Sequence, residues 1–287
     1  MSNNEKIDGQ ELSPREKAKL KIKEIKMQAG KEIRKIKYDL KIELLADNKK
    51  AIDRACKHEN KKRYREAKRE EYMLRSKRYT TGEEIFNAIT HGIGTGLAIA
   101  ATVLLTIKAT IYAPAAMKVQ YVAGWSIFGA SLIILYLMST LYHALTPEKA
   151  KKVFAIFDHA SIYFLIAGTY TPFCLTTLYG PLGWTLFGII WALAATGITL
   201  YAVFGSRLRA ASAITYILMG WMIFIAIKPL IAGLPGISLI FLLVGGAAYT
   251  GGVFFYVRKN IKWTHPIWHL FVLFGSVFHF FSVYLSI

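Results

Sequence analysis

Three histidines and one aspartate are placed where they could do chemistry together. His265 and His269 are four residues apart, a spacing that puts both imidazoles on one face of a helix. His143 closes a long apolar run. Ser139 precedes it by four residues, on the same helix face and about 6 Å along the axis. Asp158 is the only acid within any of the chain's apolar runs. Three neutral imidazoles with one open position form a zinc site of the catalytic type. A carboxylate beside it can hold or deprotonate a water in the open position, whose pKa falls toward about 7 on zinc. The alternative is that these histidines only hydrogen-bond helix to helix within a membrane. A lone His-x3-His pair does not choose between the two. Histidines from helices far apart in sequence, brought to one depth beside the aspartate, favour the metal.

Composition defines the elements that must do this. The 287 residues are 54% apolar and 14% aromatic, yet the net charge is +18. The charges are segregated. Residues 1–84 hold 25 Lys/Arg and 16 Asp/Glu, whereas residues 85–287 hold 11 Lys/Arg and two acids, Glu148 and Asp158. The first part is too polar to build its own core and the second too apolar to be soluble. An ordinary cytosolic enzyme and a secreted protein are excluded. An all-α integral membrane protein is expected, with a basic cytoplasmic extension over 1–82 and a membrane domain over 83–287. Met1–Lys50 has no apolar core of a secretory signal. Cys56 and Cys174 lie one in each part, so no disulfide is expected between them.

Seven apolar runs follow: Ile85–Ile107, Tyr121–His143, Val153–Leu175, Leu182–Phe204, Ala211–Ile227, Ile237–Val257 and Pro266–Ile287. A helix needs about 20 apolar residues to cross the hydrocarbon layer, and only the fifth run is short. No run alternates apolar and polar residues as a barrel strand must. With the N-terminus inside, the inner loops carry Lys149, Lys151, Lys152, Arg207, Arg209, Arg258, Lys259 and Lys262, and the outer loops only Lys108, Lys118 and Lys228. The positive-inside rule therefore places the N-terminus in the cytoplasm and the C-terminus outside. His143 then lies at the inner end of the second helix, and Asp158, His265 and His269 in the first turns of the third and seventh. Thr264 and Pro266 suit the start of the seventh helix as cap and first-turn residue.

Other polar residues rank lower. His159 is expected at the interface, and His279, about 15 Å beyond His269, cannot share the site. Glu83, Asn87 and His91 form an i, i+4, i+8 stripe on the first helix, either a hydrogen-bond ladder or a support to the metal, with the ladder preferred. Pro172 is expected to kink the third helix. In the extension, Pro14–Arg75 reads as helix, with Ile22, Ile25, Ala29, Ile33, Ile36 and Leu40 as a narrow apolar stripe. Such a helix is solvated, self-associates as a weak coiled coil, or lies on anionic lipid. No nucleic-acid module is present, and no nucleic-acid partner is expected.

These residues also resemble a known family. Glu84-x2-Asn87-x2-Thr90-His91-x-Ile93-Gly94, Ser139-x3-His143, Phe157-Asp158-His159-x-Ser161-Ile162-Tyr163, Gly168-Thr169-Tyr170-Thr171-Pro172 and His265-x3-His269 are similar to motifs of the bacterial hemolysin III proteins (also called TrhA). These are a branch of the progestin and adipoQ receptor family. The resemblance covers about residues 82–287. It implies a seven-helix fold with a cytoplasmic N-terminus in the cell membrane. It further implies zinc held by His143, His265 and His269, with Asp158 and Ser139 beside a catalytic water. The wider family includes ceramide-cleaving members, which implies a zinc-dependent hydrolase of a lipid amide or ester, with membrane lipids as substrate or ligand. Rival readings are a membrane sensor or receptor with structural zinc, a pore former as the name hemolysin suggests, and a proton-coupled transporter. The helices lack the repeated polar face that a wide pore requires. The length and charge of the extension are not part of the resemblance.

Overall fold

The computed structural model describes residues 6, 7, 10, 11, 13–43, 56–67, 79–258 and 261–287. It divides into two compact units, Met1–Thr80 and Thr81–Ile287. In the first, a two-residue antiparallel pair, Lys6–Ile7 with Gln10–Glu11, precedes helix α1, Pro14–Glu43. The start of α1 is a capping box. The Glu16 amide donates to the Ser13 hydroxyl at 3.3 Å while the Ser13 amide donates to the Glu16 carboxylate at 3.0 Å, and Pro14 fills the first helical position. The Ser13 hydroxyl and amide hold the Glu16 carboxyl below its ordinary pKa. A second helix, α2, spans 56–67. Its Arg63 pairs with Glu59 one turn back and with Glu32 of α1, at 2.9 and 2.6 Å. Ile22, Ile25, Ala29, Ile33 and Leu40 of the apolar stripe are half-buried, while Ile36 stays exposed. Of the stretch expected as helix over Pro14–Arg75, the described residues hold α1 and α2; 44–55 and 68–75 lie outside them.

The second unit is a bundle of seven helices long and apolar enough to cross a membrane. They are α3 (Thr81–Tyr112), α4 (Lys118–Ala144), α5 (Glu148–Leu175), α6 (Pro181–Phe204), the compound fifth span Ala210–Gly233, α9 (Gly236–Val257) and α10 (Thr264–Tyr284). The fifth span is α7 (Arg209–Trp221) and α8 (Ile227–Gly233) joined by a 3-10 turn, Met222–Ala226. It gains its length at the C-terminal end, so Lys228 lies within α8 rather than in a loop. Where α7 breaks, its backbone is satisfied by one side chain. The Tyr170 hydroxyl donates to the Met219 and Gly220 carbonyls at 2.7 and 2.8 Å and accepts the Ile223 amide at 2.8 Å. Without such a partner a broken helix is excluded from lipid.

Helix α4 is the centre of the site-bearing half. It packs between α3 and α5, and α10 closes onto α3 and α9. Trp125, Phe128, Leu132 and Tyr136 of α4 are buried along its length. Close approach depends on small residues. A side chain on Gly94 of α3 would strike the Tyr136 ring, which must pass it to reach α10 and donate to Ser276 Oγ at 2.6 Å. α3 and α10 run parallel, so their N-termini share one end of the bundle. At the other end Lys108 of α3 donates to the Tyr284 and Ile287 carbonyls at 2.5 and 2.8 Å. Cys56 and Cys174 are both free.

Candidate metal centre

His143 is in the last turn of α4, and His265 and His269 are in the first two turns of α10. All three are buried. Their Nε2 atoms converge, His265 to His143 at 3.4 Å and His269 to His265 at 3.2 Å, and one ligand atom from each lies within 4.8 Å of the others. A hydrogen-bond relay through His265 does not account for this cluster. Each Nε2 has a single in-plane site, which holds either a proton or a lone pair. His265 Nε2 therefore cannot donate to one neighbour while accepting from the other. A cation satisfies three converging lone pairs at once. Nitrogens about 2.0–2.1 Å from a tetrahedral centre lie about 3.3 Å apart, which matches the two separations.

The tautomer of His143 is fixed from behind. Its Nδ1 lies 2.6 Å from Glu84 Oε2, and the other Glu84 oxygen takes the Lys151 ammonium at 2.7 Å. A carboxylate on the far nitrogen of a metal-binding histidine orients the ring and raises its basicity. Glu84 is in the first turn of α3, next to Glu83, whose Oε1 accepts the Trp263 amide at 2.7 Å. That bond holds the residue preceding α10, where the backbone turns through φ 65°, uncommon for a bulky side chain. The start of α10 is therefore set by Glu83 and not by a side-chain cap. Thr264 is already helical, and its hydroxyl donates to the Arg258 and Ile261 carbonyls.

Asp158 lies in the third turn of α5, with a side chain 13% exposed. It lies within electrostatic range of His143, His265 and His91. Ser139 is buried one turn deeper than His143 and lies toward Asp158, short of full hydrogen-bond geometry. His159, expected at the interface, is instead buried: its ring stacks on Tyr201 at 5.3 Å and Nδ1 donates to the Ala155 carbonyl at 2.9 Å, with Asp158 Oδ2 at 3.3 Å. His279 is apart from the cluster, stacked on Tyr249 at 5.1 Å. The preferred ladder of Glu83, Asn87 and His91 does not form. Glu83 reaches Trp263, His91 stacks flat on His269 at 3.7 Å, and the Asn87 amide meets no partner. Residues four apart on a helix project in parallel, and Glu83 and His91 turn toward Trp263 and His269 instead of toward Asn87. Glu84 is part of the family motif in the sequence but carries no expected chemistry there, because it precedes the first apolar run by one residue.

The family model described as Haemolysin-III related matches residues 79–280. The chain is 49% identical to Hemolysin-3 of Bacillus cereus over 201 residues, covering 70% of this chain and 90% of that protein. It is 48% identical to the Hemolysin-3 homolog of Bacillus subtilis (strain 168), covering 71% of this chain and 94% of that one. The human monocyte to macrophage differentiation factor is 27% identical over 173 residues, covering 58% of this chain and 70% of that one. The matched residues contain six of the spans whole, the seventh as far as residue 280, and every histidine of the cluster, and the chain belongs to the haemolysin-III related family of multi-pass membrane proteins.

Proposed function

We propose that this protein is a zinc-dependent intramembrane hydrolase of a lipid amide or ester, acting in membrane lipid homeostasis. The observation that carries the reading is the convergence of three Nε2 atoms at one end of an apolar bundle, with Asp158 within electrostatic range of His143 and His265. His143, His265 and His269 hold the metal, and Glu84 fixes the ring of His143. A bound zinc supplies Lewis acidity toward a carbonyl and toward water. Asp158 accepts the proton of the attacking water and returns it to the leaving group, and Ser139 orients that carboxylate. The test is direct. Purified protein offered a panel of lipid amides and esters releases fatty acid, stops when a chelator removes the metal, and resumes when zinc is restored. No product from any lipid, with zinc bound, would support the sensor reading instead.

In the proposed orientation the metal cluster lies at the cytoplasmic face of the cell membrane. Lys149, Lys151 and Lys152 are in the first turns of α5 at the cluster's own end, and this basic end faces inside by the positive-inside rule. A reporter fused after Ile287 is expected to be active only outside the cytoplasm and one before Met1 only inside. Both termini on one side would overturn the orientation.

A further inference from the structure

Contacts within the bundle account for Glu83, Glu84 and the three Nε2 atoms. They leave polar groups beside the cluster with nothing to bind. His269 Nδ1 is directed at the Asn87 carbonyl, and the His269 carbonyl lies near His91, but neither pair reaches hydrogen-bond geometry. Both polar atoms of the Asn87 carboxamide and both ring nitrogens of His91 are buried and unpartnered, in residues 0% and 3% exposed. Burying an amide or imidazole without a hydrogen bond is unfavourable, and within a membrane no bulk water relieves it. If the two served only to pack α3 against α10, apolar side chains of the same size would serve better.

Their position separates them from the groups already assigned. α3 and α5 lie on opposite sides of α4, so Asn87 and His91 stand on one flank of the cluster and Asp158 approaches from the other. The Asn87 backbone and the His91 ring both contact His269, the ligand furthest into the bundle. A carboxamide offers donors and acceptors, and a neutral imidazole offers one of each. Neither carries a formal charge that could offset an ion.

We propose that Asn87 and His91 form a binding subsite for a neutral polar group of the substrate that both donates and accepts hydrogen bonds, a hydroxyl or amide next to the scissile carbonyl. The identity of that group rests on the lipid-hydrolase reading; the subsite rests on the unpartnered atoms. It binds and orients on the α3 flank while proton transfer takes place on the α5 flank.

The experiment uses the full chain in detergent micelles and a fluorescent long-chain N-acyl amino alcohol as probe. Metal-free wild type is expected to bind the probe saturably. Asn87→Leu is expected to bind it at least roughly tenfold more weakly, the worth of one to two buried hydrogen bonds. The same variant is expected to take up zinc as wild type does and to melt no lower, because it removes an unsatisfied amide. His91→Phe, which keeps a ring on His269, tests the subsite should Asn87→Leu fail to fold. Equal probe binding by wild type and the folded variants would mean that ordered water alone satisfies these atoms, and would overturn the subsite. Absence of saturable binding to wild type would overturn it too, as would loss of zinc together with loss of binding in both variants. Zinc-loaded protein separates the two claims. Probe bound but not cleaved leaves the subsite standing and removes the hydrolase reading. Probe cleaved equally by wild type and Asn87→Leu does the reverse.

Discussion

Substituting His143 or His269 by alanine is expected to strip the protein of most of its zinc, about one ion per chain in the wild type by elemental analysis. Each replacement removes one of three converging nitrogens and leaves two, too few to hold an ion against the competing waters. His279→Ala is the internal control, since this histidine is equally buried but stacks on Tyr249 away from the cluster. Glu84→Gln should fall between these. The carboxamide can still occupy the position 2.6 Å from His143 Nδ1, but it loses the charge that makes the opposite nitrogen a stronger ligand. Loss of such an outer partner typically weakens metal binding by 10–100-fold, which competition against a chelating dye would measure. Lys151 would lose its own partner in this variant, so Lys151→Met should be measured alongside. Equal zinc in the His143, His269 and His279 variants would show that the cluster is not a metal site.

The seven spans were legible because the signal is thermodynamic. Six of the seven apolar runs are long enough to cross the hydrocarbon layer, and the polar breaks between them are where the helices end. The fifth span shows the limit. Its run stopped at Ile227 because Lys228 and Pro229 follow, yet α8 continues to Gly233. Proline is tolerated in a first turn, and a lysine near a helix end can extend its head toward the interface. The histidines were legible from spacing and depth alone. Glu84 was not, although it makes one of the shortest polar contacts in the site. An acid just outside an apolar run looks like an ordinary interfacial charge. Only the packing of α3 against the end of α4 turns it toward His143. The burial of His159 was hidden for a related reason. Its neighbour Asp158 lies toward the charged N-terminal end of α5, but the residue that covers the His159 ring, Tyr201, comes from α6, more than forty positions away. Pairings between distant helices are not encoded in the periodicity of either one.

Asp158→Asn separates enzyme from sensor. Three histidines and a water complete a tetrahedron, so the carboxylate is not required as a ligand, and its expected work is to take a proton. The asparagine has nearly the same shape and can still accept from His159, whose Nδ1 proton is already directed mainly at Ala155 at 2.9 Å and only secondarily at residue 158 at 3.3 Å. The variant is therefore expected to fold and to keep much of its zinc. What it cannot do is act as a base. Lipid turnover at matched zinc occupancy is expected to fall by roughly 100-fold or more, the usual scale for loss of a positioned general base. Matching occupancy is essential, because a tenfold loss of affinity at limiting zinc would imitate a catalytic defect. If zinc has only a structural role, there is no turnover to lose, and the substitution acts solely through stability and metal affinity. Wild-type rates from a fully zinc-loaded Asp158→Asn protein would remove Asp158 from the mechanism. The proton would then have to pass through another buried group of the same cluster, and Ser139, on the Asp158 side and short of any hydrogen bond of its own, would be the next residue to replace.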